Sequence, residues 1–193
     1  RIAETGEVRA SEARISDISG SKPWVWILCK FSDVAGEPVT PAQVAAQAAG
    51  LDPYFQEASY NKANITGSYV VTQWYTLPQP KSYYVYDMDS NGSVDLDTSR
   101  AAADCTALAD ATVDFADYYG LNLMFNYPLG SGYAGLTTKV KLTLDGVNKS
   151  WPSVFIGDQT TSWLNNMELN AHEMYHGFGL DHSCVRNADG TYK

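Results

Sequence analysis

The sequence has few basic residues and no long apolar run. Lys and Arg together number 13 against 22 Asp and Glu, so the formal net charge is −9 at pH 7. This acidic balance argues against nucleic acid or an anionic membrane surface as a partner. No apolar segment approaches the length of a membrane span, and no signal peptide begins the chain. Because the first residue is Arg1, we expect a mature or trimmed form.

Cysteine is also scarce, which excludes a small scaffold held together mainly by disulfides. The three cysteines are Cys29, Cys105 and Cys184, so at most one internal disulfide can form. At least one thiol is then free or has a partner elsewhere. Cys29 lies in an apolar run, where we expect a buried thiol. Cys184 is not expected to bind a metal, although it follows a histidine motif closely.

Histidine is limited to three residues, and all of them lie in one stretch. His172, His176 and His182 form the pattern H-E-x-x-H-x-x-G-x-x-H together with Glu173 and Gly179. On a helix, His172 and His176 project from one face, one turn apart, and can bind one zinc ion. Gly179 can adopt positive φ, which lets His182 approach the metal from another direction. Three protein ligands with one open position are typical of a catalytic zinc site.

Glu173 is predicted to be the general base and acid of this site and not a metal ligand. Zinc lowers the pKa of a bound water towards about 7, and Glu173 can take its proton and pass it to a leaving amine. The alternative is an ordinary amphipathic helix in which the histidines occur by chance. Gly179 and His182 also match the spacing of the motif, which makes this alternative less favoured. Imidazole ligands also suit copper and cobalt, so the metal is predicted to be zinc with those ions as alternatives.

The remaining sequence predicts one domain of 193 residues. Strands are predicted at residues 23–31, 64–75, 83–86, 121–127, 137–144 and 153–156. Helices are predicted from Pro41, with Thr40 as N-cap, to about Gly50, at residues 54–60 and at residues 98–118. The histidine helix is predicted to begin between residues 162 and 165, with Asn165 as N-cap. This order fits an α/β (α+β) fold with a twisted, mixed, mainly parallel sheet and packed helices.

The histidine motif resembles that of the metzincin zinc endopeptidases. Earlier segments are similar to the gametolysin-type (M11) branch: Phe55-x-Glu57-x-Ser59-Tyr60, Ile65-x-Gly67 and Trp74-Tyr75-Thr76-Leu77. The resemblance spans about residues 24–183. It implies a secreted endopeptidase acting on protein or peptide substrates, with the histidine helix beneath a cleft. The alternatives are a pappalysin- or reprolysin-like branch, or a catalytically silent, metal-stabilised binding domain.

The resemblance also implies an edge strand that pairs with an extended substrate. Tyr133, Ala134, Gly135 and Leu136 look similar to the family's edge segment. Small side chains there would let a peptide backbone approach and add a strand. The alternative for this stretch is a plain hairpin turn.

Members of that family carry a methionine-containing turn after the third histidine, and this chain has no methionine after His182. We therefore expect residues 1–193 to comprise the N-terminal subdomain and the zinc motif of one catalytic domain. The methionine turn and C-terminal subdomain would lie on a continuation of the gene product or on a second polypeptide. Cys184 could pair with a thiol there. A natural minimal protease is the alternative.

A second metal-binding pattern precedes the predicted helix at residues 98–118. Asp87, Asp89, Asn91 and Asp95 follow the first positions of a D-x-D-x-N-G calcium loop, with Gly92 at the turn. Position twelve is Thr98, where such loops carry a bidentate glutamate. Ca²⁺ is therefore one interpretation, and an Asn-Gly hairpin turn with solvated acids is the other.

Overall fold

The computed structural model describes residues 18–130, 134–158, 166–180 and 182. Its elements, in chain order, are β1 (Gly20–Ser21), β2 (Trp24–Lys30), α1 (Pro41–Ala58), β3 (Ala63–Asn64), β4 (Tyr69–Thr76), α2 (Lys81–Tyr84), β5 (Val85–Tyr86), β6 (Asp95–Leu96), α3 (Thr98–Ala109), a 3₁₀ turn (Phe115–Asp117), β7 (Gly120–Phe125), β8 (Gly135–Leu144), β9 (Val147–Gly157) and α4 (Met167–Gly177).

A five-stranded sheet with the order β4-β2-β7-β9-β8 forms the centre of the fold. All neighbouring strands are parallel except β8, which runs antiparallel to β9. The predicted class, a mixed and mainly parallel sheet with packed helices, is therefore confirmed. Within the described residues, β8 pairs only with β9 and so lies at one edge of the sheet.

The central strands β2 and β7 are mostly apolar, with Lys30 at the end of β2 and Asn122 in β7 as exceptions, because both faces of the sheet are covered. Residues 24–29 of β2 are fully buried, and every residue of β7 is buried. Continuous apolar runs of this kind are typical of parallel strands between two layers. The sequence prediction of a buried strand is confirmed for both.

Helix α1 is continuous, and the prediction that it ends near Gly50 is wrong. Thr40 caps it as expected: its hydroxyl accepts from the Gln43 amide, and the Gln43 side chain accepts from the Thr40 amide. Pro53 lies inside the helix and removes one backbone donor. The buried face includes Leu51 before the proline and continues past it to Phe55, so packing outweighs the local cost.

Two predicted elements are broken in the structure. The expected strand at residues 64–75 is split into β3 and β4 by a turn in which Gly67 has φ +91°. The expected strand at residues 83–86 begins instead as the single-turn helix α2, and only β5 is extended. Positive φ at Gly67 cannot continue a strand, which explains the first break.

Helix α3 is shorter than predicted, ending at Ala109. The chain then turns so that Val113 and Phe115 enter the core from the connection and the 3₁₀ turn. The apolar residues beyond Ala109 therefore continue the core without continuing the helix.

Cys29 is not a free thiol, because a disulfide joins it to Cys105, with Cα atoms 6.1 Å apart. Both residues are fully buried, so the prediction of a buried position is confirmed and that of a free thiol is wrong. The bond connects β2 to α3. Cys184 lies outside the described residues.

The edge hairpin β8–β9 is longer than predicted on its second strand. Asp145 (φ +46°) and Gly146 (φ +76°) form its turn, and the two strands pair continuously from Gly135↔Ile156 to Leu144↔Val147. Positive φ at both central residues matches the twist of a two-residue hairpin. Helix α4 packs against this hairpin.

Among the helices of the described residues, none combines the length and apolar character needed to cross a membrane.

Candidate metal centre

Helix α4 begins at Met167, with Asn166 as its N-cap. The Asn166 side-chain oxygen accepts a hydrogen bond from the Leu169 amide at 2.9 Å. The predicted N-cap, Asn165, is therefore wrong by one residue, and the helix begins two residues after the end of the predicted interval, 162–165. Both asparagines have suitable side chains, and only one can precede the first turn.

A buried asparagine holds α4 on the sheet. Asn170 is fully buried; its side-chain oxygen accepts from Asn122 Nδ2 at 3.0 Å, and its amide donates to the Asn166 carbonyl at 3.0 Å. Asn122 belongs to β7, so the contact joins the first turn of α4 to the central sheet. Buried amides of this kind need such partners, which fixes the helix in one position.

An aromatic cluster packs against the C-terminal half of α4. The Phe55 ring meets Tyr175 and Phe178 edge-on, at centroid distances of 5.2 and 5.3 Å. Burial raises the pKa of Tyr175, and its hydrogen bond with Tyr54 raises it further. The Tyr175 hydroxyl therefore remains protonated throughout the physiological pH range.

The end of α4 turns sharply at Gly179, as the sequence predicts. Gly179 has φ +90°, its amide donates to the His176 carbonyl at 2.8 Å, and the Leu180 amide donates to the Tyr175 carbonyl at 3.0 Å. These two bonds and the left-handed glycine form a Schellman motif. The turn brings His182 back towards the helix.

The three histidines converge. His172 Nε2 and His176 Nε2 are 3.2 Å apart, His172 Nε2 and His182 Nε2 are 3.2 Å apart, and His176 Nε2 and His182 Nε2 are 3.1 Å apart. Within the described residues, no other group of three or more His, Cys, Asp or Glu side chains brings its ligand atoms together in this way. The predicted ligand residues therefore form one cluster.

The tautomer of His176 suits metal binding. Its Nδ1 lies 2.7 Å from the Leu180 carbonyl oxygen. A carbonyl only accepts, so Nδ1 carries the proton and Nε2 has a free lone pair. Outer contacts of this kind orient ligating histidines.

The cluster fits a divalent ion with imidazole ligands. Tetrahedral zinc with nitrogen ligands at about 2.0–2.1 Å places those nitrogens roughly 3.3 Å from one another. The observed separations of 3.1 and 3.2 Å are close to this value. Each neutral Nε2 is either a donor or an acceptor, so at least one of the three close contacts joins two nitrogens of the same role. A shared cation would accommodate all three contacts.

Glu173 is buried between α4 and the edge strand. Its exposed fraction is 6%, and its Oε2 lies 2.8 Å from the Thr137 hydroxyl. A Cβ placed on Gly135 would lie 2.9 Å from Glu173 Cγ, so glycine makes room for this side chain. Glu173 is not among the converging ligand residues, in agreement with its predicted role as a non-ligand.

An open cavity of about 490 Å³ joins these groups. Its wall combines His172, Glu173, His176 and His182 with the first residues of β8, including Gly135 and Leu136. Gly135 and Leu136 lie in β8, at the edge of the sheet within the described residues, and their role in a substrate-binding edge strand stays a prediction. Ala134 lies just before β8, where its carbonyl accepts from the Gly157 amide at 3.1 Å. Tyr133 lies outside the described residues.

The acidic loop at residues 87–95 has a different arrangement. The Asp87 carboxylate accepts from the backbone amides of Asn91 (3.1 Å) and Gly92 (2.9 Å), and Asp89 Oδ2 accepts from Asn91 Nδ2 at 2.9 Å. Asp95 lies in β6, which pairs antiparallel with β5. The stretch is thus a connection between two antiparallel strands, and its binding of calcium stays a prediction.

Three residues near the cluster are missing from the sequence-based site: Thr137, Asn170 and Leu180. Leu180 contributes only a backbone atom, and Asn170 acts from the buried face of the helix, so neither carries a recognisable pattern. Thr137 could have been found from the sequence, because it follows Gly135 by two residues and therefore lies on the same face of the strand.

No protein-family model matches this chain, and no curated protein sequence matches it.

Proposed function

We propose that this chain is a zinc-dependent endopeptidase resembling the gametolysin-type metzincins. One observation carries the proposal: three imidazole nitrogens, a buried carboxylate and the open edge of a sheet surround one cavity. Three histidine ligands without a nearby carboxylate, or a carboxylate without an edge strand, would support metal binding but not hydrolysis of a peptide. Together they supply the parts that hydrolysis of an extended peptide needs.

The metal would be held by His172, His176 and His182 through their Nε2 atoms. Bound zinc would supply Lewis acidity, acidifying a water molecule and polarising the scissile carbonyl. His176 is oriented for this task by the Leu180 carbonyl.

Glu173 would carry the proton. Its carboxylate is shielded from bulk water, next to the histidine residues, and one of its oxygens already has the Thr137 hydroxyl as partner. The other oxygen would accept a proton from the attacking water and deliver it to the leaving nitrogen. Burial favours this function because competing water is excluded from the carboxylate.

The edge strand β8 would bind the substrate backbone. A peptide in extended conformation can add a strand to the side of β8 that has no neighbouring strand among the described residues, next to the histidines. Gly135 opens this end of the strand, since it carries no side chain above Glu173. The substrate class is therefore an extended segment of protein or peptide.

We also propose that the protein is secreted. The Cys29–Cys105 disulfide supports this, because such bonds persist mainly in oxidising compartments.

The test is cleavage of casein or gelatin by the protein. We expect hydrolysis that stops with a chelator and returns when zinc is added back. A protein that binds zinc stoichiometrically and cleaves no protein substrate would contradict the proposal and favour a metal-stabilised binding domain.

A further inference from the structure

The hydroxyl of Thr137 on β8 reaches two oxygens of the same glutamate. Thr137 Oγ1 is 2.7 Å from the Glu173 backbone carbonyl and 2.8 Å from Glu173 Oε2. Within the described part of the chain, no hydrogen bond reaches Glu173 Oε1. The carboxylate is thus held by one oxygen only.

A hydroxyl has one proton, so these two acceptors compete for it. The Glu173 carbonyl lies inside α4, where the regular helical pattern already supplies an amide donor four residues later. The carboxylate oxygen carries more negative charge, and hydrogen bonds to charged acceptors are the stronger ones. Oε2 is therefore the preferred acceptor while Glu173 is ionised.

Among the described residues, Thr137 is the only one that forms a hydrogen bond with the Glu173 carboxylate. Gly135 offers no side chain on this side, and its missing Cβ leaves the space that the glutamate fills. Without the Thr137 hydroxyl, the carboxyl group would be free to rotate about its last torsion, which is broad and roughly two-fold.

We propose that Thr137 is a positioning residue that holds Oε2 of Glu173 and so presents Oε1 for proton transfer. The expected effect of Thr137 on catalysis rests on the proposed function. Its expected effect on the stability of the metal-free protein rests only on the contact between Thr137 and Glu173. Thr137 acts through Glu173.

The first test is a double-mutant cycle on the metal-free protein, measured as urea unfolding midpoints. The four proteins are the parent, Thr137→Val, Glu173→Ala and the double variant. Valine keeps the shape and strand preference of threonine and replaces the hydroxyl with a methyl group. We expect Thr137→Val to lower the midpoint in the parent by at least twice as much as in the Glu173→Ala background.

This cycle separates the two acceptors, because Glu173→Ala removes the carboxylate and keeps the backbone carbonyl. Equal midpoint shifts in both backgrounds would show that the Thr137 hydroxyl donates to the Glu173 backbone carbonyl and links β8 to α4. That result would overturn the proposal. If Thr137→Val does not fold, Thr137→Ser and Thr137→Ala compared in both backgrounds give the same distinction.

The second test uses the zinc-loaded protein and a peptide substrate. Thr137→Val should lower kcat by about 10- to 100-fold, the loss that misplaced reacting groups cause, with KM and zinc stoichiometry unchanged. Thr137→Ser should recover most of the activity. Thr143→Val, the same change at an exposed position far along β8, is the matched control and should behave like the parent.

The two tests fail in different ways. A parent that hydrolyses nothing would refute the proposed function, while the metal-free cycle would still decide whether Thr137 holds the carboxylate. A hydrolysing parent with an equally active Thr137→Val variant would refute the positioning role alone.

Discussion

Two stretches of this chain are rich in residue types that bind metals, and they are arranged in opposite ways. The histidines of α4 and its turn bring three nitrogens within 3.2 Å of one another. In the acidic loop, Asp87 and Asp89 instead turn their oxygens towards the amides of their own loop. In the first stretch the ligand atoms have a common centre, and in the second they have local partners.

The difference follows from what fixes each side chain. His172 and His176 project from a helix that Asn170 and the aromatic cluster hold on the sheet, and Gly179 directs the return to His182. The acidic loop is exposed, so its carboxylates obtain hydrogen bonds from nearby backbone donors, as Asp and Asn commonly do in turns. A rigid scaffold therefore distinguishes the histidine cluster from the acidic loop more clearly than the chemistry of the side chains does.

The largest effect is expected from Glu173→Gln. The side chain is not a ligand, so zinc content should stay at one per chain, while kcat should fall on the order of 10²- to 10⁴-fold because the proton carrier is lost. Zinc analysis and peptide hydrolysis on the same sample provide the check. Near-normal turnover with full zinc occupancy would rule out the assigned role.

The second-largest effect is expected from replacing one of the three predicted histidine ligands. His182→Ala should weaken zinc binding by roughly 100-fold or more, because it removes one of three protein ligands from the centre. Competition with a chromophoric chelator measures the affinity. Asp89→Ala, at an exposed position of the acidic loop, serves as a control that should leave zinc affinity unchanged. Equal affinity of His182→Ala and the parent would refute the third ligand.

A smaller effect is expected at the edge strand. Gly135→Ala places a methyl group where Glu173 now lies, 2.9 Å from its Cγ, so the glutamate must shift. We expect a loss of about 10-fold in kcat with zinc affinity unchanged, because only the base is displaced. Full activity in this variant would show that the glutamate tolerates the displacement.

The smallest effect concerns the acidic loop. If it binds calcium, an excess of calcium should raise the unfolding midpoint by a few degrees through mass action. Asp89→Ala should remove that increment and leave zinc content unchanged. A parent midpoint that does not respond to calcium would leave the loop as a turn closed by its own amides.

The central sheet and the histidine cluster could be predicted because their signals are local. The apolar run at residues 24–29 and the spacing of His172, His176 and Gly179 each determine a local geometry directly. What could not be predicted depends on contacts between distant segments. Pro53 and Gly50 suggest a helix end, yet the buried face of α1 continues past both.

The cysteines and Thr137 give the same lesson. A chain with three cysteines can form only one internal disulfide, but the sequence does not show which two cysteines it joins. The packing of α3 against β2 brings Cys29 to Cys105. Similarly, the strand pattern places Thr137 on one face of β8, and only the packing of α4 shows that this face meets Glu173.

X-ray absorption at the zinc edge of the zinc-loaded protein tests the central claim most directly. We expect about three imidazole nitrogens near 2.0–2.1 Å and one oxygen neighbour, the signature of an open three-histidine site. Glu173→Gln should leave the spectrum unchanged, and His182→Ala should remove one imidazole. A shell of oxygens without imidazole scattering, or a sulfur neighbour near 2.3 Å, would contradict the account.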